Sequence, residues 1–274
     1  DEYADALAGA PLAVQEDAPL LLSARDALSP VTAAEVTRLG ATRAIVLGGT
    51  AALASEVVEE LADLGVQVSR VEGPTRFHTA AAIAEAFPAD SEALLVEGIN
   101  ADPTRGWPDA LAASALGGTA GVPVLLTAAD VLPPATADAL AGRSDVTIIG
   151  GTAAVAPAIS TQVEGIVGTV TRIAGATRTE TARVVAEEAL DRGAAAEVVW
   201  LATTAAFPDG LVAGAAAAHE GGVLLLVDRD TLSVDAPAAT FLTTHREALS
   251  RIRIAGGVAA VSTAVQEAVA ALLG

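Results

Sequence analysis

The chain has 274 residues, a formal net charge of −19 and 52% hydrophobic residues, of which few are aromatic. All 15 basic residues are arginine, and so acidic a balance excludes a general nucleic-acid binder and electrostatic docking on an anionic membrane. Absence of cysteine excludes disulfides, thiol nucleophiles and cysteine–zinc sites, and no apolar run approaches the roughly 20 residues of a membrane-spanning helix.

In chain order, the first expected element is a helix opened by Asp5 (DALAGAPLA), followed by an apolar strand, PLLLS, from Pro19. A strand AIVLGG then ends on Gly48 and Gly49, and an amphipathic helix, SEVVEELADLG, follows. Next comes the segment RVEGPTRFHTAAAIAEAF from Arg70. The series then returns: helix DALAASALG from Asp109, strand PVLLT from Pro123, VTIIGG ending on Gly150 and Gly151, and RIAGATRTETARVVAEEAL from Arg172. A third pass gives strand EVVWLAT, helix DGLVAGAAA from Asp209, strand VLLLV from Val223 and the turn GGVAAV from Gly256. Recurrence of so many features at fixed offsets, roughly a hundred residues apart, marks tandem repeats.

Continuous apolar strands alternating with helical segments predict parallel sheets covered by helices, so each repeat reads as a Rossmann-like βα module of an α/β fold. Taking Gly274 as a module end divides the chain into modules 1–68, 69–170 and 171–274. The first then lacks its opening strand, its arginine-bearing helix and its second strand. Methionine is also absent, so the sequence is expected to continue upstream of Asp1, a removed secretion signal being one explanation.

The glycine pairs lack the G-x-G-x-x-G spacing of a dinucleotide fingerprint, and a phosphate loop of the Walker type needs a lysine that the chain does not have. No cofactor is expected. Gly48, Gly150 and Gly256 read as positions of positive φ that let the next helix approach the sheet, with ligand contact at the helix N-terminus as the alternative. Thr75 and Thr177 are expected to cap helices. That puts Arg76 and Arg178 in the first turn, where the helix dipole disfavours a cation. Each either pairs with an acidic group of a neighbouring helix or meets an anionic ligand.

Asp5, Asp109 and Asp209 are expected as helix N-caps, with Pro108 and Pro208 stopping any upstream helix. Tyr3, Trp107 and Phe207, two residues ahead of each aspartate, read as core plugs, with sugar stacking as the alternative. The acidic stretch DRDTLSVD at 228–235 lacks the glycine and closing glutamate of a calcium loop. His78, His219 and His245 fall at unrelated offsets, so no metal site and no recurring catalytic site is expected.

The IGG, LGG and AGG turns, the RVEGPTRFHTA and RIAGATRTETA segments, the WPDAL and FPDGL helix starts and the strands PLLLS and PVLLT together resemble the type 2 cell-wall-binding repeat of bacterial surface proteins. The resemblance implies three Rossmann-like modules packed with pseudo-threefold symmetry, acting as a non-catalytic, extracellular anchor to anionic wall polysaccharide. It also implies polymer contact at the proline-led strands, here Pro19, Leu20, Leu21 and Leu22 and Pro123, Val124, Leu125 and Leu126. The third copy departs from this pattern at Val223. The arginine of the TRxxTA motif maps to Arg76 and Arg178. An anionic polymer is repelled by a chain of charge −19, so local arginines or bridging divalent cations are expected to supply the attraction. Two rivals remain: a Rossmann-like enzyme acting on a phosphorylated or sugar substrate, and a self-associating surface-layer component.

Overall fold

Strands β1 (Arg43–Leu47) and β2 (Gln67–Val71) form a two-stranded parallel sheet in the first module. The protein is represented by a computed structural model that describes residues 4–102 and 104–274; Tyr3 lies outside them. Strands β3 (Ala93–Ile99), β4 (Val124–Ala128), β5 (Asp145–Ile149) and β6 (Thr169–Ile173) form a second parallel sheet in the order β4-β3-β5-β6. The third sheet, β7 (Val198–Thr203), β8 (Val223–Val227) and β9 (Arg251–Ile254), has the order β8-β7-β9. Three parallel α/β modules are therefore present, and β3 with β7 mark the point in each complete sheet where the strand order reverses.

Helices α1 (Gly9–Gln15), α5 (Pro108–Ala120) and α9 (Phe207–His219) follow equivalent positions of the three repeats and pack against one another at the centre. Small residues bring the backbones close: a Cβ on Gly118 would lie 2.7 Å from the Ala218 Cβ, and one on Gly117 would lie 2.9 Å from the Pro11 ring. Ser114, fully buried, donates to the Leu7 carbonyl at 2.6 Å and ties the first module to the second. Trp107 and Phe207 meet edge to face at 6.5 Å. This three-helix hub, one helix from each repeat, is the pseudo-threefold arrangement, and Trp107, 4% exposed, is part of its core.

The expected divisions at 68/69 and 170/171 fall inside β2 and β6, which complete the sheets of the first and second modules. The chain crosses between modules after Val71 and after Ile173. Helix α4 (Arg76–Ala84) then packs on β4, and α8 (Arg178–Asp191) packs on β8. Each arginine-bearing signature thus contributes its strand to one module and its helix to the next.

The expected strand from Pro19 to Ser23 does not form; those residues carry no regular secondary structure and have no β partner among the described residues. The reason is topological. Its counterparts β4 and β8 pair with β3 and β7, and among the described residues no strand occupies that central position beside β1.

Arg143, buried at the end of helix α6 (Pro134–Leu140), carries no repeat signature but knits the second module. Its guanidinium donates to the carbonyls of Ala84 (2.9 Å) and Pro88 (2.7 Å) and to the Ser91 hydroxyl (3.0 Å). Those groups lie at and just beyond the C-terminal end of α4, where carbonyls run short of helical partners.

Candidate functional site

Each glycine turn meets an aspartate, and the first two also meet an arginine. Gly48, Gly150 and Gly256 have φ of 98°, 112° and 94°, a region that L side chains enter with strain. The carboxylates of Asp5, Asp109 and Asp209 lie against these three glycines. From the other side Arg70 donates to the Gly48 carbonyl at 2.6 Å, and Arg172 donates to the Gly150 carbonyl at 2.7 Å. The recurring aspartates are therefore not N-caps. Pro108 occupies the first position of α5 and Phe207 that of α9, so Asp109 and Asp209 fall inside the first turn and reach across to the glycines. Pro108 begins α5 and Pro208 is the second residue of α9, first-turn places that suit a fixed φ.

In open α/β sheets, ligands enter beyond the carboxyl ends of strands, where the strand order reverses. In the second module that place is the end of β3 beside β5, and the protein fills it with its own side chains. Glu97, on β3, is buried and accepts from the Asn100 amide at 2.6 Å. Burial raises its pKa. Asp109 stands beside it, and burial together with the charge of Glu97 pushes its carboxyl up to about 6, against the pull of Arg178 and Arg105. Arg105 donates to the Ala153 carbonyl at 2.9 Å and fastens the β3–α5 loop over the glycine turn.

Arg76 and Arg178 converge on this edge. Thr75 and Thr177 occupy the N-cap positions of α4 and α8, and the Thr177 hydroxyl accepts from the Glu180 amide. The Thr75 hydroxyl instead meets His78 Nδ1 at 2.9 Å. Both arginines are half-buried at the first helical residue. Arg76 donates to the Gly98 carbonyl at 2.8 Å. The Arg178 guanidinium lies over the Trp107 ring, 5.9 Å from its centroid, and its charge acts on Asp109. The arginines hold structure across the module junction and place positive charge at the carboxyl edge of the central sheet.

The proline-led segments are placed differently. Pro123, Val124, Leu125 and Leu126 are buried, the last three within β4, so they present no side chain to a polymer and hold the core instead. Pro19 and Leu21 are exposed and Leu20 and Leu22 half-buried, on the rim of an apolar groove in the first module. In the acidic stretch at 228–235 the Asp228 carboxylate accepts from the amides of Asp230 (3.0 Å) and Thr231 (3.1 Å). Among the described residues no group of three or more His, Asp or Glu is placed to hold a metal ion, and no helix is long and apolar enough to cross a membrane.

Sequence reasoning did not find Glu97, Arg105 or Arg143. None recurs at the repeat spacing, and recurrence was the signal that singled out the rest.

The comparisons with known proteins agree with this geometry. The profile of the cell wall binding domain 2 (CWB2) family matches residues 1–58, 70–160 and 172–266, one match per repeat. The chain is similar to the N-acetylmuramoyl-L-alanine amidase LytC of Bacillus subtilis (strain 168), 30% identical over 265 residues, covering 96% of this chain and 50% of that protein. It is also similar to the amidase enhancer of the same organism, 27% identical over 271 residues, covering 98% of this chain and 36% of that protein. Among solved structures, Cwp8 from Clostridium difficile superposes with a TM-score of 0.80 at 26% identity, covering all of this chain and 46% of that one. Cwp6 from the same organism gives a TM-score of 0.85 at 24% identity, with 99% and 42% covered. The chain thus spans half or less of the length of each relative. Three profile matches on three structural modules decide the assignment: the chain belongs to the cell wall binding domain 2 family.

Proposed function

We propose that this chain is a non-catalytic, extracellular anchor that holds to anionic wall polysaccharide through its module junctions, chiefly at Arg76 and Arg178. The observation that carries the reading is the family match repeated over all three modules. Two features of the site support it. The place where α/β enzymes bind small substrates is filled here by Glu97, Asp109 and the Arg105 strap. The arginines at its edge are half-buried, Arg76 bonded to the Gly98 carbonyl and Arg178 over the Trp107 ring, and a planar guanidinium loses little freedom for each bond it makes to a phosphate or carboxylate. The amidase names belong to proteins about twice or more the length matched here, so that chemistry is not assigned to this chain.

The net charge of −19 makes approach of an anionic polymer unfavourable at long range. At physiological ionic strength the Debye length shrinks to about 8 Å, leaving local arginine contacts to act, and divalent cations bridging surface carboxylates to polymer add to them. Co-sedimentation with purified wall polysaccharide tests this. Binding is expected to rise from low to physiological salt and to rise again with calcium. A protein that stays in the supernatant under all of these conditions overturns the anchor reading.

A further inference from the structure

We propose that the Glu97–Asp109 pair makes the hold on polymer proton-linked: the pair takes up a proton when Arg178 engages an anion, so acid tightens binding at this junction. The inference rests on the anchoring reading and deepens it by adding regulation to the same site.

The two carboxylates share the carboxyl end of β3 with both arginines. Glu97 is 4% exposed, and its acceptors are met by the Asn100 amide at 2.6 Å and the Gly106 backbone. Asp109 is wedged against Gly150 and bonded to the Thr181 hydroxyl of α8. Arg76 bonds one residue beyond Glu97, at the Gly98 carbonyl. Arg178 is held by the Trp107 ring, 5.9 Å from its centroid, while its charge acts on Asp109. Its guanidinium thus stands between the pair and any anion that meets this edge.

The charges around the pair fix the sign. Glu97 from β3 raises the Asp109 pKa, and Arg178 from α8 and Arg105 from the β3–α5 loop lower it. Beyond the glycine turn Arg172 of β6 is bonded to the Gly150 carbonyl. Glu180 and Arg183 of α8 pair with each other at 2.8 Å. Asp102 is held below its usual range by Thr104 and stays ionised. With both carboxylates charged, Glu97 and Asp109 offset Arg105 and Arg178. A polymer anion at Arg178 brings in a further negative charge, which disfavours two ionised carboxylates nearby and raises the pKa of the pair. Linkage is reciprocal, so a proton on the pair strengthens the anion's hold by the same factor. The free pair titrates around the Asp109 value of about 6, so affinity falls as pH rises through that region.

The repeat supplies a replacement that the fold accepts. Register places Leu95 opposite Ile148 and Leu201 opposite Ile254, which sets Thr203 of β7 in the place of Glu97. Thr203 is buried and its hydroxyl accepts from the Ala205 amide at 3.0 Å. The third module therefore has no such acid pair.

The test is calorimetric titration with a phosphodiester-bearing wall polysaccharide, whose own charge stays constant across the range, at fixed physiological salt. Between about pH 7.5 and about pH 5.5 the wild type is expected to gain about three- to tenfold in affinity. At about pH 6 it should take up a fraction of a proton, read from heats in buffers of different ionisation enthalpy. Asp109→Asn and Glu97→Thr, shown folded by melting curves, should bind more tightly than wild type at the higher pH and lose most of the gain on acidification. Equal wild-type affinity at both pH values overturns the proposal and leaves the anchoring reading standing. An undiminished pH dependence in both variants also overturns it, and assigns the effect to His78, which lies at the Thr75 cap beside Arg76. Absence of binding at either pH overturns both readings.

Discussion

The carboxylate of Asp109 occupies the space where a side chain at Gly150 would be: a Cβ built there lies 2.5 Å from Asp109 Oδ2. The same relationship joins Asp5 to Gly48 and Asp209 to Gly256. In each repeat, then, the first helix and the glycine turn are fitted to each other, and the missing side chain is a requirement of packing.

Gly150→Ala combines that contact with a φ of 112°. Strain at such a position is worth about 1–3 kcal/mol, so a loss of at least ~2 kcal/mol in denaturant unfolding is expected once the steric term is added. Gly151→Ala is the control: nothing lies within 4 Å of the added atom, and its cost should stay under ~0.5 kcal/mol. Equal losses for the two variants would contradict this role for the first glycine.

Asp109→Asn should stabilise the protein at neutral pH. The folded pKa of about 6 exceeds the unfolded value of about 3.9. The folded state therefore holds the extra proton between those values, and this group's contribution to stability falls as pH rises through that window. Removing the charge should gain up to ~3 kcal/mol above pH 7 and nothing below about pH 4. Thermal melts across pH read it directly; a gap between variant and wild type that is the same at every pH refutes it.

Arg143→Met should be costly although it touches no candidate site. It removes the charged donor from the carbonyls of Ala84 and Pro88, which keep the Phe87 and Ser91 amides, and a hydrogen bond to a charged group is worth about 1.5–3 kcal/mol. A loss of roughly 2–4 kcal/mol in chemical denaturation is expected, and a change below the resolution of the experiment would dismiss the role.

The repeat made the fold legible. Strands buried on both faces, helices after each glycine turn and the capping positions of Thr75 and Thr177 all follow from local pattern. What the pattern did not show are pairings across sequence. Asp109 looked like a cap because its type and place before an apolar run suit one, and only the fold reveals that Pro108 takes the first helical position. PLLLS carries the same signal as PVLLT, yet a strand needs a neighbour, and among the described residues Leu21 has none where Leu125 has β3. Arg143 and Glu97 act once each, so comparison between repeats passes over them.

The central claim is that Arg76 and Arg178 hold the polymer. The most direct measurement is the affinity of the Arg76→Ala/Arg178→Ala double variant for purified wall polysaccharide at physiological salt, alongside a melting curve that shows the variant folded. The account predicts at least a tenfold loss of affinity with the fold retained. A folded double variant that binds as tightly as the wild type would contradict it.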